Sequence, residues 1–355
     1  MRLISSCLLV VLLGVPAAAH PDPARAVVAQ GFARLARGDV QGALAAANQA
    51  LKLNPKSAGA HDLRGNARLQ QGDADGALDD GQQAEKLDPV DGTAMDLRSA
   101  ARYAMRDYAD AASQARRATQ YRPQMVSAWL HLSQAGIAQG NYPPALEAAQ
   151  RAAALGPRNV EPLVAVARCQ AGLGDVSDAL ASCKKATGLN PKSPMPYAFA
   201  GLVEYNRGHW KAALSDYQTA ARLSPRAPQF RLRVYLCQGR LNGLKQAMGD
   251  LQAFLPTSSP GWPQPVANYL AGQTDENALL KLADSLAEQA PARRCEAWFY
   301  IGSAALLHHD TIKATTAFQR AVRTAAMDSD AWSSAQAALK SELKSELKAE
   351  LTPHS

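Results

Sequence analysis

The side chains of this sequence best suited to chemistry are its cysteines and histidines. Cys169 and Cys183 fall in one helix–turn–helix stretch, symmetric about its turn, while Cys237 and Cys295 lie further along the chain. Four thiols admit three pairings. In an oxidising compartment a Cys169–Cys183 bridge across two antiparallel helices is expected, and a Cys237–Cys295 bridge would staple an irregular region to the C-terminal part of the chain. A closed loop of roughly 15 residues would add about 3 kcal/mol by chain entropy, less any strain. The alternative is that each thiol is a small buried side chain that fills space. His308 and His309 sit at a turn before Asp310, and neither has a partner at zinc-binding spacing. The sequence carries no metalloprotease motif, no G-x-S-x-G elbow, no phosphate loop and no Rossmann glycine pattern. These features predict no enzyme, no cofactor and no metal.

Bulk properties agree with a helical scaffold. Of 355 residues 47% are hydrophobic, enough to bury a core, but only 6% are aromatic. Abundant alanine adds little core volume and lets helix backbones approach closely. The net charge of +7, from 38 basic and 31 acidic residues, is dispersed, with no run of four Lys or Arg, so no nucleic-acid partner is expected. The opening stretch MRLISSCLLVVLLGVPAAAH has a basic start at Arg2, an apolar run and small residues at Ala17–Ala19. It reads as a secretory leader over 1–19 cleaved after Ala19, placing the mature chain in the periplasm or outside the cell. Most of the apolar run comes after Cys7, so lipid attachment there is not expected. No later run reaches the ~20 apolar residues of a membrane span.

The elements that must position everything else recur. Units with a period of 34 residues start at Ala24, Ala58, Gly92, Val126, Val160 and Pro194. Position eight is always small (Gly31, Gly65, Ser99, Ser133, Ala167, Gly201). Alanine holds position twenty (Ala43, Ala77, Ala111, Ala145, Ala179, Ala213) and position twenty-seven (Ala50, Ala84, Ala118, Ala152, Ala186, Ala220). Proline closes each unit, from Pro55 to Pro225. Glycine near position fifteen suits a left-handed turn, and the Asp or Asn after it can cap a second helix. The two alanines then share one face of that helix, opposite the small residue of the first. Helices of ~12 residues are marginal alone, so each hairpin needs its neighbours. The aromatic side chains Trp129, Tyr197 and Tyr217 read as core.

This spacing and residue set resemble the tetratricopeptide repeat. The resemblance implies an all-α solenoid, a right-handed superhelix of helical hairpins whose first helices line a concave face. The boundaries read as six units over 24–227, then a degenerate repeat, a Pro/Ser/Gly bend and a helix over 228–294. A further unit over 295–328 and a capping helix with tail over 329–355 complete the chain. Leu339, Leu343, Leu347 and Leu351 stripe the last helix, which could cap the solenoid or join a second copy. The C-terminal layout, a Trp-Pro bend and then EAWFYIGSAALLHHD, looks like the new-lipoprotein-I group of periplasmic repeat proteins, which are lipid-anchored adaptors. The absence of an anchoring cysteine departs from that group.

In the repeat register, positions two, five, nine, twelve and thirteen of each first helix should face inward. They supply Asp62, Asn66, Gln70, Asp96, Tyr103, Gln134, Arg168, Leu202, Tyr205 and Asn206. Amides, scattered charges and aromatics suit an extended peptide or a partner helix, gripped by Asn66 and Gln134 and anchored on Tyr103 and Tyr205. The expected function is a protein-interaction scaffold of the cell envelope. The alternative is a carbohydrate or cell-wall-binding module, which would need Tyr103, Tyr205 and Trp262 exposed in a line.

Overall fold

The structure is a computed structural model that describes residues 23–258, 260–285, 290–327 and 329–351, with side chains through Ser341. The leader, with Cys7 and Ala19, and the side chains of Leu343, Leu347 and Leu351 lie outside the described residues. Every regular element among those described is helical. They form two compact units, one ending at Pro89 and the other beginning at Val90.

Local chemistry makes the hairpins. In the first unit α1 (Pro23–Ala36) pairs with α2 (Val40–Leu53), and α3 (Ala58–Gln71) with α4 (Ala74–Leu87). Gly72 ends α3 at φ 84°, a conformation that costs glycine no Cβ clash. Asp73 then accepts a hydrogen bond from the Gly76 amide to open α4, as Asp39 does from Gly42 for α2. Each interface between helices closes on methyl groups: Ala43, Ala50, Ala77 and Ala84 are fully buried. A Cβ at Gly31 would fall 2.2 Å from Leu63 Cδ2, so the small eighth residue is a requirement of close approach.

The second unit repeats the pattern through α5 (Gly92–Ala104) and α6 (Tyr108–Tyr121), α7 (Val126–Ala138) and α8 (Tyr142–Leu155), α9 (Val160–Leu173) and α10 (Val176–Leu189), and α11 (Pro194–Asn206) and α12 (Trp210–Leu223). Ala111, Ala118, Ala179, Ala186, Ala213 and Ala220 are again fully buried. Ser99 fills the eighth position of its repeat and donates to the Ala111 carbonyl at 2.8 Å. The α5–α6 turn lacks glycine, and Arg106 adopts the left-handed conformation there at φ 64°.

After Pro225 the hairpins persist although the landmark residues do not. Helix α13 (Pro228–Asn242) packs against α14 (Leu244–Phe254), and the bend carries two short helices, α15 (Gln264–Leu270) and α16 (Glu276–Ala283). A last hairpin, α17 (Ala290–Leu307) and α18 (Thr311–Arg323), precedes α19 (Asp330–Leu351). Here the core changes character. Phe299 lies 5.0 Å from Tyr300, 6.1 Å from Phe318 and 6.3 Å from Tyr205, ring centre to ring centre. Arg233 is buried among these rings, its guanidinium 4.6 Å from the Phe299 centre. Tyr217 is buried as expected; Trp129 and Tyr197 are half-buried, and the Trp129 indole donates to the Pro123 carbonyl.

One expectation is corrected. Cys169, Cys183, Cys237 and Cys295 are buried thiols, and neither expected disulfide is present. Cys169 Sγ sits 3.8 Å from Ser133 Oγ of the preceding hairpin, and Cys295 Sγ takes a contact of the same length from Ser329 Oγ. Cys169 fills register position ten, which the fully buried Ala67, Ala101 and Ala135 fill in the three preceding repeats. Burial pushes the Cys169 thiol up to about 11, and burial, followed by Asp216, pushes Cys183 up to about 12.

Candidate functional site

In the second unit successive first helices touch one another, α5 with α7, α7 with α9 and α9 with α11. Among the described residues no two successive second helices are in comparable contact. The first helices therefore form the inner layer, and the inward positions of the repeat register lie on it.

Three expected site residues from three successive repeats share one cavity there. Tyr103 from α5, Gln134 from α7 and Arg168 from α9 line a cavity of about 310 Å³, together with Val164, Glu161 and Met195. These last three are not legible from a search for amides and aromatics. Their register positions, five for Val164 and two for Glu161 and Met195, already mark them as inward. Met195 is 46% exposed, an unusual amount for an apolar side chain beside a cavity. Arg168 lies over the Phe199 ring at 4.7 Å and donates to Asp330 at 2.8 Å. The cavity thus combines an amide, a phenol ring, an oriented cation and apolar floor.

The remaining residues of the second unit are placed differently. Asp96 accepts from Ser127 Oγ and from His131 Nδ1, both at 2.7 Å, so α7 already uses its carboxylate. Burial works against charge on His131, but the Asp96 charge and hydrogen bond outweigh it and raise the imidazole pKa. Leu202 and Tyr205 are buried at 4% and 5% exposure. Asn206 accepts from Ser334 Oγ at 2.8 Å, and Ser334 in turn accepts from the buried Arg233 at 3.0 Å. The chain's own α19 lies along α11, with Ala331 and Ala335 buried and the Trp332 indole bonded to the Val322 carbonyl. This end of the inner face is therefore occupied internally, which repeat spacing alone does not reveal.

In the first unit Asp62, Asn66 and Gln70 form one stripe of α3. Asp62 is buried, Asn66 Nδ2 donates to the Asp62 carbonyl at 2.8 Å, and Gln70 is exposed. A polar feature missed in the sequence lies beside them. Asp80 on α4, 1% exposed, accepts from His61 Nδ1 at 3.0 Å, Arg64 at 2.7 Å and Arg68 at 2.7 Å. These three donors occupy register positions four, seven and eleven, where a helix interface normally needs apolar bulk. The run His-x-x-Arg-x-x-x-Arg on one helix face is the available signal.

No group of three or more His, Cys, Asp or Glu among the described residues could hold a metal. No described helix is long and apolar enough to cross a membrane. Such a fold, stacked helical hairpins with a varied inner face, defines a helical-repeat scaffold. Comparison with known proteins makes the class specific: the tetratricopeptide-repeat family model matches residues 28–91, 99–160 and 137–194. Those residues form tetratricopeptide repeats, units that generally serve as protein–protein interaction scaffolds. The family matches end at residue 194, so they lend nothing to the expected C-terminal likeness to the new-lipoprotein-I group.

Solved structures agree on the fold. A tetratricopeptide repeat protein from Parabacteroides merdae superposes with a TM-score of 0.54 at 14% identity, over 70% of this chain and 98% of that one. The Cut9–Hcn1 hetero-tetramer of the APC/C gives 0.56 at 15% identity over 83% of this chain; this chain spans 55% of that one. No curated protein matches the sequence.

Proposed function

We propose that this protein is an adaptor of the periplasm or extracellular space that seats an extended peptide or a partner helix on the inner face of its second unit. The observation that carries the reading is the cavity shared by Tyr103, Gln134 and Arg168. Three consecutive repeats place chemically different side chains on one concavity, and an occupant touching all three would read several residues at once. The leader read from the sequence supports the compartment, and N-terminal sequencing of the mature chain should begin at His20. The leucines of α19 support a second copy as a further partner, which light scattering of the purified protein would reveal as a doubled mass.

A photo-crosslinking residue at Gln134 tests the site. In envelope extracts it should yield a discrete protein adduct, while the same residue at the exposed Arg151 of α8 should not. Equal adducts from both positions, or none from Gln134, would remove the reading. The carbohydrate alternative gains no support, because Tyr205 is buried and the Trp262 indole is bonded to Glu296 at 2.6 Å.

A further inference from the structure

A second cavity lies in the aromatic part of the second unit, where the α11–α12 turn meets α13, α17, α18 and α19. Its volume is about 580 Å³, within the roughly 300–1,000 Å³ typical of small-molecule sites. Its lining includes the half-buried Trp210 and the partly exposed Leu306, Ala337 and Ala338, with only the edges of the buried Tyr205, Phe299 and Phe318. Tyr205 and Trp210 meet edge to face at 4.9 Å, which fixes the shape of that lining. Arg240 lies over Trp210 with its guanidinium 4.4 Å from the ring centre.

Among the described residues, charge in this cavity is unbalanced. Arg240 Nε is buried and, among the described residues, has no hydrogen-bond partner. Among the described residues no carboxylate lines the cavity, and Lys340 at its rim takes part in no described ion pair. The other basic side chains of the lining, Arg207 and His209, both pair with Glu204, at 3.4 and 2.6 Å. A guanidinium stacked on an indole and left without an acceptor is an open half of a charge-assisted pair.

We propose that this cavity binds a small organic acid, a carboxylate carried on an apolar body. Arg240 would donate to the carboxylate, and Trp210, Leu306, Ala337 and Ala338 would cover the body. A peptide segment fits less well, because it would bring backbone groups that need partners. Asn206 and Ser334, two of the polar side chains placed to serve them, are already bonded to each other.

The test is calorimetric titration of the full chain with 4-phenylbutyrate and with its amide. The acid should bind at least about tenfold more tightly than the amide, since a charged hydrogen bond is replaced by a neutral one. Arg240→Met should erase that difference, Arg240→Lys should keep part of it, and Gln134→Ala should leave it unchanged, separating this site from the adaptor face. Trp210→Ala should weaken both acid and amide, the acid at least as much, because Arg240 stacks on that ring. Equal binding of acid and amide by the wild type, absence of binding, or undiminished preference in Arg240→Met would overturn the proposal. So would tighter binding of an acetylated tetrapeptide ending in phenylalanine than of the free acid. The wild-type comparison of acid with amide stands even if a variant fails to fold.

Discussion

Arg168 on α9 and Asp330 at the start of α19 pair at 2.8 Å across 162 positions of sequence, tying the C-terminal helix to the inner face of the fifth repeat. Crowding around Asp330 opposes its charge, but Arg168, by charge and hydrogen bond, and Arg233 outweigh this and lower its pKa. A depressed carboxylate pKa stabilises the fold above the unfolded pKa and loses that stabilisation as pH falls through the folded value. Asp330→Asn should therefore cost no more than about 1 kcal/mol at neutral pH, since both side chains keep contact with water. In urea unfolding the difference from wild type should close as pH drops below about 4.

Asp80 behaves differently because it is buried. Replacing it with Asn leaves Arg64 and Arg68 facing a neutral amide inside the α3–α4 interface. The loss should be on the order of 3 kcal/mol, against less than about 1 kcal/mol for the more exposed Asp73→Asn. Chemical denaturation of the two variants side by side measures the contrast.

The thiols should be silent in the native state. Burial holds the thiols of Cys169, Cys183 and Cys237 up at about 11, 12 and 12, so almost no thiolate forms at pH 8. Ellman's reagent should react slowly with folded protein and rapidly once denaturant is added. Reducing agent should leave the melting temperature unchanged.

His309 ends the α17–α18 turn at φ 62°, a left-handed conformation reached without glycine. That conformation costs an L residue about 1–2 kcal/mol, partly offset by the roughly 0.5–1 kcal/mol that glycine loses in freedom on folding. His309→Gly should raise stability by a few tenths to about 1 kcal/mol, read from the shift of the urea midpoint.

The repeat itself is legible because it is written in short-range requirements. A left-handed turn, an amide needing a cap and a close helix crossing each constrain the residue at one position, and Gly72, Asp73 and Ala77 answer all three. Arg106 and His309 show the limit of that logic, since the turn forms where its glycine is missing. The inner face is legible in part. Register points to Tyr103, Gln134 and Arg168, but it also points to Leu202, Tyr205 and Asn206, which the chain buries or bonds itself. Contacts such as Asn206 with Ser334 join residues 128 positions apart and obey no period, so spacing carries no trace of them. The cysteines fail for a related reason: symmetry about a turn places two thiols at similar heights without aiming them at each other.

Methyl-lined helix crossings also fix how such a chain can diversify. Sliding one helix by a single residue would drive a longer side chain into a seam with no room for a Cβ at Gly31, so every hairpin is locked in frame. Insertions can then enter only at the exposed turns and at the proline-ended junctions, while the inner-face side chains exchange freely. Recognition in this architecture can drift residue by residue without the scaffold having to be rebuilt.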